Sequence, residues 1–310
     1  MIWRQFRHPD LGCCSYAIGC TRNPALAIID PRRDAVADYL AEAQREGLPI
    51  VAVIETHLHS DHYSGALDLA ARTGATTYVH PAHSLLSPLS VDGEGMGVRS
   101  AAGDAAPPRA WGGEGGGVGG SARIEPLADN QELRVGNRLL RVLHTPGHSK
   151  DSLCLIADDR AVFTGDTLLV GDVGRPDLGA KSTTPLSPAP SSPPDPLSRT
   201  GRGGTNGGDD VRSLSRLREG EIRDAAHALY ASLQRLLALP DWYEVWPGHY
   251  GPSVCGAQMS DKSSSTLGYE RRKNYALQAL DADDFCELIL AELPPEPAEM
   301  LEIRRQNAGR

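Results

Sequence analysis

Hydrophobic and polar positions along the first half of the chain switch between two periods. Residues 15–19 and 25–30 read as short strands separated by a polar turn. Residues 34–46 carry helical spacing, with Val36, Tyr39, Leu40 and Ala43 on one face. Pro49-Ile50-Val51-Ala52-Val53-Ile54 is a near-continuous apolar run of strand length, the pattern of a strand covered on both faces. Residues 66–72 predict a helix closed by Gly74, and residues 76–79 a further short strand. Three strands follow in quick succession at 139–143, 152–157 and 160–163. An amphipathic helix is predicted over 223–239, with Ala226, Leu229, Tyr230, Leu233, Leu236 and Leu237 aligned. A short strand at 244–246 and a helix at 281–293 complete the pattern.

Two segments interrupt it. Residues 91–121 are rich in Gly and Ala and include Gly112-Gly113-Glu114-Gly115-Gly116-Gly117. Residues 179–220 are rich in Ser, Pro, Gly and Arg. Neither composition buries enough apolar surface to offset the entropy of ordering, so both are expected to be mobile surface loops inserted into one domain. The glycine run lacks a following Lys-Ser/Thr and a preceding strand, so it is not a phosphate loop.

Length and charge narrow the function classes. A chain of 310 residues can bury a substantial core. Its formal net charge of -9 argues against nucleic acid or an anionic membrane as partner. No apolar run is long enough to span a bilayer, and the first residues lack a signal-peptide pattern, so a cytoplasmic location is expected. The six cysteines show no CxxC spacing, which excludes a zinc ribbon and reads as small buried hydrophobes.

The candidate chemistry gathers just beyond strand ends. Thr56-His57-Leu58-His59-Ser60-Asp61-His62 places four potential ligands within six residues, directly after the buried 49–54 strand. In an extended loop residues two apart face the same way, so His57 and His59 converge, while Asp61 and His62 are expected to begin the next helix. His144-Thr145-Pro146-Gly147-His148, Thr164-Gly165-Asp166 and Trp246-Pro247-Gly248-His249 each put a further His or Asp past a strand end, where α/β sheets carry their sites. Four such residues packed against one strand end are hard to explain without a metal.

In order and spacing these motifs resemble the metallo-β-lactamase superfamily, across most of residues 10–280. The resemblance implies an α/β fold, an αββα four-layer sandwich with the metal at one edge of two facing sheets. Within the superfamily, the chain is most similar to the persulfide dioxygenase branch. The similarity lies in Leu11-Gly12-Cys13-Cys14-Ser15-Tyr16, Ile29-Asp30-Pro31-Arg32-Arg33-Asp34, Glu55-Thr56-His57, Gly171-Asp172-Val173-Gly174-Arg175-Pro176-Asp177-Leu178 and Ser265-Thr266-Leu267-Gly268-Tyr269-Glu270-Arg271-Arg272.

That branch implies one Fe(II) per chain on His57, His148 and Asp166, leaving coordination positions for O2 and a small-molecule persulfide such as glutathione persulfide. His59, Asp61, His62 and His249 would then orient the ligands and take up protons. Arg175 is the candidate contact for a substrate carboxylate; the alternative is that Arg175 and Asp177 form a local ion pair shaping the loop. Cys255 reads as a buried inert thiol. Relatives in this branch are often homodimers. A rival reading is a dinuclear zinc thiolester hydrolase of glyoxalase II type. It would use His57, His59 and His148 for one Zn, Asp61, His62 and His249 for the other, and Asp166 as the bridge.

Overall fold

A computed structural model describes residues 2–86, 123–179, 207–251, 253–291, 293, 297 and 299–309. Its strands are β1 (Ile2–His8), β2 (Cys13–Cys20), β3 (Ala25–Ile29), β4 (Ile50–Ile54), β5 (Thr76–Val79), β6 (Ile124–Pro126), β7 (Glu132–Val135), β8 (Arg138–His144), β9 (Leu153–Ala157), β10 (Ala161–Gly165), β11 (Glu244–Pro247) and β12 (Ser265–Thr266). The α-helices are α1 (Val36–Glu46), α2 (Ala66–Thr73), α3 (Gly207–Leu237), α4 (Leu267–Lys273), α5 (Ala282–Leu290) and α6 (Glu299–Asn307). The strands form two six-stranded sheets, ordered β1-β2-β3-β4-β5-β6 and β12-β11-β10-β9-β8-β7.

Alternation of side chains along each strand builds the layers. Tyr16, Ile18, Ala27, Ile29 and Ile54 of the first sheet meet Leu140, Val142, Leu155 and Phe163 of the second. Their sequence neighbours point outward. Ala17, Leu26, Ile28 and Val53 pack under Val36 and Tyr39 of the first helical layer and Leu69 of α2. Cys154, Ile156, Val162 and Val245 pack under Leu229, Leu233 and Leu236 of α3 and Phe285 of α5. Both sheets are therefore buried on two faces, and the result is the expected αββα sandwich. Parallel pairing of β4 with β3 and β5 explains the unbroken apolar run at 50–54.

Several expectations change. The helix expected over 223–239 is α3, which begins at Gly207, so residues 207–220 of the supposed second loop are helical. From Val211 onward the chain turns to Arg, Leu and Glu, good helix formers whose signal is lost when composition is averaged over 179–220. Residues 91–121 and 180–206 lie outside the described residues. Asp61 and His62 do not begin a helix: α2 starts at Ala66, and both sit in the loop before it. The last expected helix is shorter, Ala282–Leu290, and α6 follows it. Among the described residues, no helix is long and apolar enough to cross a membrane.

Candidate metal centre

Strands β8 and β10 run parallel to each other through their shared antiparallel neighbour β9, and β11 runs parallel to β10. Their carboxyl ends thus open on one edge. The first sheet is tied to that edge by Leu153 N–H donating to the Thr56 carbonyl at 2.7 Å, and Cys14 N–H to the Gly248 carbonyl at 2.7 Å. The loops after β4, β8, β10 and β11 deliver His57, His148, Asp166 and His249 to a common volume, all four buried.

His57, His148 and Asp166 bring ligand atoms within 4.8 Å of one another. Asp166 Oδ2 lies 3.7 Å from His57 Nε2 and 3.6 Å from His148 Nε2, too far for hydrogen bonds. It is a buried oxygen with no partner. Hydrogen bonds on the far side of each ring fix the tautomers. His148 Nδ1 donates to the Arg175 carbonyl at 2.9 Å, because a carbonyl can only accept. Thr56 Oγ1 donates its one proton to Asp30 Oδ2 at 2.8 Å, so His57 Nδ1, 2.9 Å away, must donate to Thr56. Both Nε2 lone pairs therefore face the bare Asp166 oxygen. Burial pushes the His57 pKa down to about 3 and lowers that of His148, so both rings are neutral donors near pH 7. Two neutral imidazoles aimed at an orphaned carboxylate oxygen fit a divalent metal ion, and leave an unsatisfied polar hole without one.

The remaining residues make a second group. Cys13, Asp61, His62 and His249 also place ligand atoms within 4.8 Å. Here the polar atoms largely satisfy one another. His249 Nδ1 is 2.6 Å from Asp166 Oδ1, and its Nε2 is 2.7 Å from Asp61 Oδ2. His62 Nδ1 reaches the same Asp61 oxygen at 2.9 Å, and Cys13 Sγ donates to it at 3.2 Å. Burial opposes a charge on His249, but the surrounding negative groups, Asp166 first, outweigh it and raise its pKa well above the ordinary value. His59 turns Nε2 away, to Glu55 Oε2 at 3.0 Å and Asp30 Oδ1 at 3.3 Å. Three atoms in this half remain buried without partners: His59 Nδ1, Asp61 Oδ1 and His62 Nε2.

Arg175 and Asp177 take the ion-pair arrangement. The guanidinium is buried and binds Asp177 through two bonds of 2.7 Å. Its contribution to the centre is the backbone carbonyl under His148. Two glycines let backbone approach Asp166. A Cβ on Gly174 would run into the Asp166 carbonyl and come within 2.9 Å of His148 Nδ1, and one on Gly248 would lie 2.7 Å from Asp166 Oδ1. Cys255 is buried, and burial pushes its thiol up to about 12, which makes it a poor nucleophile.

Sequence reasoning missed Cys13, Asp30, Glu55 and the residues that α6 supplies. Asn307 Nδ2 donates to the carbonyls of His59 and His62 at 3.0 and 2.8 Å, and its Oδ1 accepts from Ser64 N–H at 2.9 Å. A polar residue near the end of a helix with little amphipathic pattern gives no sequence signal for such docking.

A family model described as the metallo-beta-lactamase superfamily matches residues 15–249. The chain belongs to that superfamily. Among curated relatives of this metallo-beta-lactamase family protein is the beta-lactamase hydrolase-like protein of Xylella fastidiosa (strain Temecula1), 26% identical over 295 residues. The match covers 91% of this chain but 54% of that relative, so the chain spans about half the relative's length. Among solved structures, a metallo-beta-lactamase from Staphylococcus aureus superposes with a TM-score of 0.71 at 26% identity, covering 99% of this chain and 72% of the other. ETHE1 from Myxococcus xanthus superposes with a TM-score of 0.64 at 23% identity, covering 99% and 98%. The last likeness is one of fold.

Proposed function

We propose that this chain is a persulfide dioxygenase that uses one Fe(II), held by His57, His148 and Asp166. Its reaction consumes one low-molecular-weight thiol persulfide, one O2 and one water, and yields one free thiol and one sulfite with two protons. The observation that carries the reading is the asymmetry at Asp166: Oδ2 is orphaned between two bare imidazole nitrogens, whereas Oδ1 is held by His249. Two histidines and a carboxylate are the donor set of non-haem iron oxygenases, and iron on it supplies a redox-active ion with open positions. The Gly174-Arg175-Pro176-Asp177 and Tyr269-Glu270-Arg271-Arg272 segments, similar to those of the dioxygenase branch, support the same reading.

The chain's own groups set up the reaction. Thr56 and the Arg175 carbonyl hold the two rings in their donor tautomers. His249, with both nitrogens on carboxylates, has no lone pair to offer a metal and instead keeps a proton between Asp166 and Asp61. No protein nucleophile is needed, consistent with the buried, high-pKa thiol of Cys255.

A second reading, the dinuclear zinc thiolester hydrolase, draws on the three other unpartnered atoms, His59 Nδ1, Asp61 Oδ1 and His62 Nε2, which a second ion would satisfy. The test separates the two. Anaerobically purified, iron-loaded protein is given glutathione persulfide and, in parallel, S-lactoylglutathione. O2 uptake with matching sulfite release is expected; thiolester cleavage without O2 uptake on persulfide would overturn the proposal.

A further inference from the structure

The loop that follows β10 starts and finishes at the metal centre. It leaves from Asp166 and returns at Gly174, which abuts the Asp166 carbonyl, and at Arg175, whose carbonyl accepts from His148 Nδ1. One proposed ligand and the group that orients another are thus the two ends of a single stretch of chain. Between them lies a tight turn, closed by Leu169 N–H donating to the Asp172 carbonyl at 3.0 Å. Gly171 stands at its tip with φ +81°, a left-handed conformation that suits glycine.

Helix α4 grips this turn with Glu270 and Asn274, both completely buried. Glu270 Oε2 accepts from Gly171 N–H at 2.8 Å. Asn274 Nδ2 donates to the Asp172 carbonyl at 2.8 Å and lies 3.3 Å from the Leu169 carbonyl, so one amide spans both flanks of the turn. The same nitrogen is 2.9 Å from Glu270 Oε2, and Ser265 Oγ donates to Glu270 Oε1. The helix is itself anchored. Gly268 N–H donates to the Asp241 carbonyl at 2.9 Å, and Arg271 Nη2 donates to the carbonyls of Leu237 and Leu239 at the end of α3. A buried carboxylate held by neutral donors is a costly way to fill space, and an apolar side chain of similar volume would serve packing alone as well or better. What the carboxylate adds is a fixed direction for the Gly171 N–H.

We propose that Glu270 and Asn274 are positioning residues for the metal centre: by holding the 169–172 turn they set where Gly174 and the Arg175 carbonyl stand, and so how Asp166 and His148 face a metal ion. The inference rests on reading His57, His148 and Asp166 as the ligands. It also gives a physical reason for two distant segments, 171–178 and 265–272, to belong together, since the bond from Gly171 to Glu270 joins them. Glu270→Gln can keep every contact, because its amide oxygen accepts from Gly171 and Asn274 while its amide nitrogen donates to Ser265 Oγ.

The test is Co(II) binding to metal-free protein, so that it stands apart from oxygenase activity. Co(II) is titrated into the wild type, Glu270→Gln, Glu270→Ala and Asn274→Ala, with affinity read by chelator competition and ligand geometry by the visible d–d bands. Each alanine variant is expected to bind the first Co(II) about tenfold more weakly, with shifted bands, and Glu270→Gln to stay within about threefold of the wild type with unshifted bands. Circular dichroism and urea unfolding report the fold. A role confined to stability would lower the unfolding midpoint and leave affinity and bands alone. Should the alanine variants fail to fold, Ser265→Ala, which removes one donor from Glu270 at a half-buried position, is expected to weaken Co(II) binding about threefold. Wild-type affinity and bands in every folded Ala variant overturn the positioning role and leave the ligand set standing. No Co(II) binding by the wild type overturns both.

Discussion

The two sets of ligands that flank Asp166 are similar in composition and differ in what holds their polar atoms. On one side His57 and His148 have their outer nitrogens fixed by Thr56 and the Arg175 carbonyl, and their inner nitrogens meet only an orphaned carboxylate oxygen. On the other side Asp61 Oδ2 alone gathers His249, His62 and Cys13. A buried polar hole costs free energy unless something fills it; the bonds gathered on Asp61 Oδ2 stand without a metal, while His59 Nδ1, Asp61 Oδ1 and His62 Nε2 beside them stay unpartnered. Residue type does not separate the two sets; the outer ring nitrogens of His57 and His148 are fixed by a hydroxyl and a carbonyl, whereas those of His59 and His62 sit on carboxylates.

The comparison breaks most directly at the open side. His57→Ala or Asp166→Ala is expected to weaken iron binding by more than about 100-fold, beyond the 10- to 100-fold typical of losing a supporting partner. Metal analysis after desalting reads this out. Asp61→Ala should retain most of the iron, and its cost should appear as stability. Removing the carboxylate from buried His249 is expected to cost about 3 kcal/mol in urea unfolding of the metal-free protein. Iron loss in Asp61→Ala equal to that in Asp166→Ala would erase the distinction between the two sides.

A subtler change acts through the backbone. Gly174→Ala drives a methyl group at the Asp166 carbonyl and His148 Nδ1, so it should lower iron affinity about 10-fold while leaving every ligand present. Unchanged affinity would show that the close approach is dispensable. The smallest effect is expected at the docking of α6. Asn307→Ala unpairs the buried carbonyls of His59 and His62 and should cost about 1 to 2 kcal/mol in urea unfolding, with iron content largely kept.

Much of the sandwich is legible in the chain because its central strands are covered on both faces. The 50–54 run and the 153–157 and 161–165 strands have no polar face to obscure them. β1 escapes notice because it is an edge strand with Arg and Gln interspersed, half-buried except at exposed Arg4 and Arg7, and held partly by Trp3 stacking on Phe163 at 4.9 Å. Helix α6 is invisible for a different reason: Glu299–Asn307 buries Met300 and Asn307, and its docking depends on an amide rather than an apolar stripe. In the site, His57, His59, Asp61, His62, His148, Asp166 and His249 stand out as chemistry placed past strand ends, and all are buried at one edge. What cannot be read from sequence is their sorting. Asp30 and Glu55 look like ordinary strand-end acids until folding sets them on His59 Nε2, and Cys13 looks like a core residue until it meets Asp61.

Iron stoichiometry decides the central claim. Protein reconstituted anaerobically with excess Fe(II) and then desalted should hold one iron per chain, and the Asp61→Ala variant should hold the same. Two tightly bound ions per wild-type chain, with one lost on Asp61→Ala, would contradict the account and transfer the site to dinuclear chemistry.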